Sequence, residues 1–321
     1  MLKRITYYFE QCKSLLNALS QSERIPMFFL WLDSTWALLR HGCLIKQYTY
    51  GEFYKITRPL MGSVITQKRL EHIINQYNDL SSIHVLKNKN EFNELFNKWV
   101  KRDWLWSKSM DEEQFRDFAK RHNRIFVKPL DDQEGHGIMV LEGLIGGHQE
   151  YERLKKENVM IEEAIIQHPL MNFGNSAVNT VRVITCLDTH KKVHILRAAL
   201  RVGIGKTVVD NFSAGGALYD IDLQSGRIDN KGIGHDGNKY IFHPGTNICM
   251  LGFQIPNWDM LVENVSEAAL NIAKCRFVGW DVAITTDGIE LIEGNHNPGL
   301  FTMESVGKPC AYKEALNYLN K

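Results

Sequence analysis

Paired cysteines are missing from this 321-residue sequence. Its six cysteines, Cys12, Cys43, Cys186, Cys249, Cys275 and Cys310, are scattered with no CxxC spacing. That pattern argues against a structural zinc site or a disulfide framework and fits reduced thiols in the cytoplasm. An excess of one charge is missing as well, since 38 basic residues face 37 acidic ones for a formal net charge of +1. Nucleic acid is therefore not expected as the main partner. The local grouping Lys55, Arg58, Lys68, Arg69 and His72 reads as a solvated helix face. No run of about 18 apolar residues could span a bilayer. The first ten residues lack the apolar stretch of a signal peptide. Residues 1–19 have the pattern of an amphipathic helix that packs, or that touches a membrane or partner. Internal repeats and low-complexity tracts are absent.

Apolar residues make up 44% of the chain and charged residues 23%, ordinary values for a chain that buries a full core. The length implies two or three lobes sharing a cleft. Residues 1–85 read as mainly helical. Leu2, Ile5, Phe9, Leu15 and Leu16, then Met27 to Leu39, then Leu70, Ile73, Ile74 and Tyr77 recur at helical spacing. Helices are expected over 90–103 and 111–121, the second entered through a capping box at Ser109–Glu112. Strands are expected at 125–129, 137–141, 159–163, 178–187, 193–202, 208–211 and 216–223. A helix follows over 262–274, then a hairpin of 279–285 with 289–295, and a last helix over 311–320. Such an order predicts an α+β fold around antiparallel sheet rather than a doubly wound one.

Gly203-Ile-Gly205-Lys206-Thr207 imitates a phosphate loop. A P-loop needs a glycine five residues before the Gly of its Gly-Lys pair, where this chain has Leu200, and it must open a helix. Strand-like Val208-Val209 follows instead, so the motif is set aside.

The C-terminal hairpin carries more chemistry. Residues two apart on a strand share a face, so Glu293 and Asn295 point the same way. A turn at Asp287-Gly288 brings Asp281 beside them. Two carboxylates and an amide oxygen are hard donors suited to Mg²⁺, and buried carboxylates need a positive partner. A solvated polar hairpin face would account for Glu290 and Asp287, but not for three converging donors flanked by Trp280, Val282 and Ile292. Lys128 ends a hydrophobic strand before the loop Asp131–Gly137, whose Gly135 and Gly137 allow backbone to approach phosphate. Taken alone, that pattern equally fits a surface turn. Glu162 and Glu163 lead into Ala164-Ile165-Ile166, a stretch that fits an adenine-binding linker or an ordinary connection. Arg182 and Arg201 sit on successive strands, as phosphate-binding arginines or as sheet-face ion pairs.

Taken in order, the phrases FVKP at 126–129, EGHGI at 134–138, IEEAIIQHP at 161–169, VNTVRVIT at 178–185, VDNFSAGG at 209–216, VGWDVAITTDG from 278 and LIEGNHNPG up to 299 resemble the ATP-grasp superfamily. Within it they resemble the sugar-transfer-associated group of polysaccharide gene neighbourhoods, over roughly residues 86–300. The resemblance implies two α+β lobes clamping ATP, a small one over 86–165 and a C-terminal one over 166–321, behind a helical region over 1–85. It implies Lys128 and Lys89 at the ATP phosphates, with Gly135, Gly137 and Asn211 in the loops around the nucleotide. Glu162, Glu163, Ala164 and Ile165 would form the adenine hinge, and Gln167 or His168 would reach the ribose. Mg²⁺ would sit on Asp281, Glu293 and Asn295, and Arg182 and Arg201 would lie near the transferred phosphate. The implied reaction is carboxylate–amine ligation through an acyl phosphate, on small-molecule acid and amine substrates that include sugar-linked ones. A phosphotransferase acting on a hydroxyl, and a nucleotide-binding module without turnover, are the alternatives. Residues 1–85 depart from the family in lacking an α/β pattern, and His136 stands where small residues are commoner.

Overall fold

A computed structural model describes residues 2–130, 137–143, 147–174, 178–203, 216–234, 237–300 and 311–321. The chain begins with helices α1 (Leu2–Glu23), α2 (Met27–His41), α3 (Ile45–Tyr50), α4 (Arg58–Met61), α5 (Gln67–Tyr77), α6 (Ile83–Lys87) and α7 (Lys89–Leu95). Leu16, Leu30, Tyr48 and Phe53 bury one core among the first three helices. Helix α2 stops at Gly42, whose left-handed φ of 69° lets its N–H close the last turn on Leu38.

A four-stranded antiparallel sheet follows. It contains β1 (Trp104–Trp106), β2 (Arg124–Pro129), β3 (Met139–Glu142) and β4 (Val159–Glu163), in the order β1-β4-β2-β3. Its outer face buries Ile125, Val127, Val159 and Ile161 under Phe115 and Phe118 of α8 (Glu112–Arg121) and Leu154 of α9 (His148–Lys156). By alternation Phe126, Lys128, Met160 and Glu162 take the other face.

The second sheet has seven antiparallel strands. They are β5 (Thr180–Leu187), β6 (Val193–Val202), β7 (Ala217–Asp220), β8 (Gly232–Gly234), β9 (Lys239–Tyr240), β10 (Phe277–Thr285) and β11 (Gly288–Asn295), in the order β11-β10-β5-β6-β7-β8-β9. One face, with Val181, Val183, Leu200, Trp280 and Val282, packs under α10 (Trp258–Asn271) and against Leu86, Phe92 and Phe96. On the opposite face Ile184, Cys186, Leu196 and Phe277 lie beneath α5 and α11 (Ala311–Leu319). Farther along that same face, alternation places Thr180, Arg182, Arg201 and Asp281.

The α+β prediction holds, with a helical N-terminal region and antiparallel sheets. Several boundaries differ. The helix expected over 90–103 ends at Leu95, because the chain turns to bury Phe96, Trp99 and Val100 and then forms β1. Helix α8 is capped by Asp111 and Gln114 rather than by Ser109 and Glu112. The Asp111 carboxylate accepts the Gln114 N–H at 2.8 Å, and Gln114 Oε1 accepts the Asp111 N–H at 2.9 Å. The strand expected at 208–211 lies outside the described residues.

Candidate active site

The centre of the site is one point on the large sheet. Asp281 of β10 stands directly opposite Glu293 of β11 on one side and Arg182 of β5 on the other. A bulge follows, since Val282 pairs with Leu291 and leaves Ile292 unmatched. The extra residue puts Glu290 on the same face as Glu293, although an odd separation would otherwise place them on opposite faces.

Asp281 is buried and bound by two arginines. Arg182 grips it bidentately, through Nε to Oδ1 and Nη2 to Oδ2, the latter at 2.8 Å, and Arg201 Nη1 donates to Oδ2 at 2.7 Å. Burial works against its charge, but the two guanidiniums outweigh it and hold the carboxyl well below the usual range. Arg182 also donates to the Pro298 carbonyl at 2.9 Å. Glu293 is the opposite case. Burial, and then the charge of Asp281, push its carboxyl upward. Asn295 Nδ2 donates to Glu293 Oε1 at 2.9 Å, and turning the amide over would present its oxygen to the same space. Two adjacent carboxylates, the second pushed upward by burial and then by the charge of the first, with an amide alongside, form an all-oxygen donor set that a hard divalent cation would relieve of its repulsion. These residues therefore fit Mg²⁺.

The small sheet contributes a second charged run. Lys128 of β2 forms an ion pair with buried Glu162 of β4. Arg102, also buried, donates to Glu162 Oε1 at 2.9 Å and to Glu290 Oε1 at 2.8 Å. Burial disfavours a charged Glu162, yet Arg102 and Lys128 hold it well below the ordinary range. Lys128, Glu162, Arg102 and Glu290 thus make one network from the inner face of the small sheet to β11 of the large one. Arg102 escaped the sequence reading because Lys101-Arg102-Asp103 looks like a polar helix end. Lys89 Nζ donates to the carbonyls of Pro129 at 2.8 Å and Leu130 at 3.4 Å, which places it at the end of the Lys128 strand.

The linker between sheets starts at Glu163. Its Oε2 accepts the Asp103 N–H at 3.1 Å, and its Oε1 lies 3.5 Å from His122 Nδ1, while His122 Nε2 meets Asp103 at 2.9 Å. Among the described residues these three make a His–carboxylate cluster apart from Asp281 and Glu293. Ala164 and Ile165 are half-buried. Gln167 bridges to Thr285, and the His168 N–H donates to the Ile284 carbonyl at 2.7 Å. The side chains of both are engaged nearby: Gln167 Oε1 accepts from Asn179 N at 3.0 Å, and His168 Nδ1 from Leu170 N at 3.2 Å. Gly137 is described, with a left-handed φ of 72°. Gly135, His136 and Asn211 lie outside the described residues.

A family model described as "sugar-transfer associated ATP-grasp" matches residues 68–318. Comparison with curated proteins finds no match. Among solved structures, the ATP-grasp ligase PsnB complexed with a phosphomimetic variant of its minimal precursor, Mg and ADP superposes with a TM-score of 0.48 at 17% identity, over 75% of this chain and 61% of that one. The N5-carboxyaminoimidazole ribonucleotide synthetase of Thermotoga maritima gives 0.45 at 11% identity, over 78% and 55%. The D-alanine-D-alanine ligase of Coxiella burnetii gives 0.43 at 11%, over 75% and 58%. The chain thus spans less than two thirds of the length of these proteins. Such distant likenesses carry no weight for function, and the assignment rests on the family match.

Proposed function

Because the chain belongs to the sugar-transfer associated ATP-grasp family, we propose that it is an ATP-dependent ligase that joins a carboxylate to an amine through an acyl phosphate. The observation that supports this reading best is the Asp281–Glu293 pair across the β10–β11 hairpin, with Arg182 and Arg201 gathered on Asp281. ATP would lie between a small lobe, residues 86–165, and a C-terminal lobe, residues 166–321, with residues 1–85 as a helical N-terminal region whose α5 covers one face of the large sheet. Asp281, Glu293 and Asn295 would hold Mg²⁺, which when bound supplies charge neutralisation at the triphosphate.

This chain's residues position the reactants. Lys128 and Lys89 orient phosphate oxygens, Gly135, Gly137 and Asn211 would serve the nucleotide, and the linker from Glu162 to Ile165 with His168 receives adenine and ribose. Arg182 and Arg201 meet the charge on the oxygens of the group in flight. A substrate carboxylate oxygen attacks the γ-phosphorus, the bond to the β,γ-bridging oxygen breaks, and ADP leaves with that electron pair. An amine then adds to the acyl carbon, the bond from that carbon to the phosphate oxygen breaks, inorganic phosphate departs, and the amine proton passes to solvent. No protein nucleophile is required, because positioning and electrostatics carry the transfer. Sugar acids or peptides of surface-polysaccharide synthesis are the substrate class proposed.

The test is product analysis. Protein incubated with Mg²⁺-ATP and mixed sugar acids and amino acids should release ADP and inorganic phosphate only when acid and amine are both present. Phosphate retained on a hydroxyl acceptor would make the protein a phosphotransferase instead, and no ADP under any mixture would overturn the enzymatic reading.

A further inference from the structure

Helix α2 has two apolar faces and only one of them is covered. Leu30 and Ala37 turn inward with Ser34 and pack on the N-terminal core. At about 100° per residue, Phe28, Leu32 and Leu39 fall within roughly 40° of one another on the opposite side. They are 67%, 54% and 82% exposed. Phe29 is exposed beside them, and Trp36 and the Phe9–Trp31 stack at 5.4 Å border the patch. A helix that is apolar all round is ordinarily buried all round.

Charge identifies the cover. Residues 1–66 hold eight basic and four acidic side chains, whereas the remainder holds 30 basic and 33 acidic ones. The acids of this region are largely spent. Asp33, the single acid of α2, accepts from Tyr48 Oη at 2.7 Å and pairs with Arg58, which stacks over Trp36 at 4.3 Å. Glu23 is taken by Lys55, and Glu52 by Lys55 and Lys239. Lys13, Arg24, Arg40 and Lys46 are exposed and make no ion pair among the described residues. Arg24 and Arg40 bracket α2 at its two ends. A second copy of the chain would set like charges against each other, which opposes self-association. Phe and Leu on one face of the helix, tryptophans at its border and unpaired arginines at its two ends are the chemistry of a helix lying in a lipid headgroup layer.

We propose that the outer face of α2 docks the protein on an anionic bilayer, with Phe28, Leu32 and Leu39 entering the acyl boundary and Arg24 and Arg40 at the headgroups. No helix among the described residues is long and apolar enough to cross a membrane, so the attachment is peripheral. This inference is independent of the ligase reading.

Vesicle co-sedimentation of the full chain tests it. The protein should pellet with equimolar phosphatidylcholine and phosphatidylglycerol, should stay in solution with phosphatidylcholine alone, and should be released by added salt. The triple substitution Phe28→Ser, Leu32→Ser, Leu39→Ser should lower the partition coefficient by about tenfold or more, with an unchanged far-ultraviolet circular dichroism spectrum. The pair Arg24→Glu, Arg40→Glu should also weaken binding and flatten its salt dependence. Failure of the wild type to pellet would overturn the proposal, and so would undiminished binding of the folded triple variant. A concentration-dependent dimer by light scattering, abolished by the triple substitution, would overturn it in favour of a second copy.

Discussion

At the scale of single residues, the site depends on one carboxylate holding two arginines. Arg182 and Arg201 are buried and both bond Asp281. Replacing Asp281 by Asn keeps the shape and removes the charge that both guanidiniums bond. Removing one partner of a buried pair costs about 3–5 kcal/mol. Urea unfolding of Asp281→Asn should show a loss of that order, and a stability equal to wild type would mean that the arginines find their compensation elsewhere. Glu293 behaves differently because burial, and then the charge of Asp281, push its carboxyl upward. Its replacement by Gln keeps the shape and leaves the bonds of Arg182 and Arg201 to Asp281 in place, so it separates the proposed ligand role from folding.

At the scale of elements, the hairpin from Phe277 to Asn295 is held by close approach as well as by its ladder. Gly279 stands on the Asp281 face, and a Cβ there would lie 2.4 Å from Pro298 Cβ. Gly279→Ala should push the segment after β11 outward, strain the Arg182 bond to the Pro298 carbonyl, and cost about 1–3 kcal/mol as overpacking. A lowered melting temperature checks this, and an unchanged one would show that the segment yields freely. The hairpin was legible in the sequence because Trp280-Asp281-Val282 and Leu291-Ile292-Glu293 bracket an Asp-Gly turn with strand periodicity. Its bulge at Ile292 was not, because a bulge is set by pairing across strands that no local spacing encodes. Helix α9 is hard to see in the sequence because Leu154 is its one fully buried side chain, too few apolar residues to mark a face. Strands β8 and β9 are three and two residues long, too short for any pattern. The sequence places the capping box two residues early because Ser109 and Asp111 both precede an acid or amide at the right interval, and only helix packing chooses between them.

At the scale of the whole molecule, Arg102 joins the two sheets. It bonds Glu162 on the small sheet and Glu290 on the large one, and Lys128 extends the network to the proposed nucleotide side. Glu162 has a carboxyl depressed below its unfolded value despite its burial. Its contribution to stability is therefore fully present above the unfolded pKa of about 4.3 and is lost as pH falls from there toward the folded value. Urea midpoints should decline in that acid window for the wild type and decline less steeply for Glu162→Gln. Parallel curves would show that the acid response arises outside the network. The central claim concerns Asp281, Glu293 and Asn295 as a cation site against a triphosphate, and titration calorimetry with a non-hydrolysable ATP analogue addresses it most directly. The account predicts that Mg²⁺ strengthens analogue binding to the wild type and that this gain disappears in a folded Glu293→Gln variant. An equal Mg²⁺-dependent gain in that variant would contradict it.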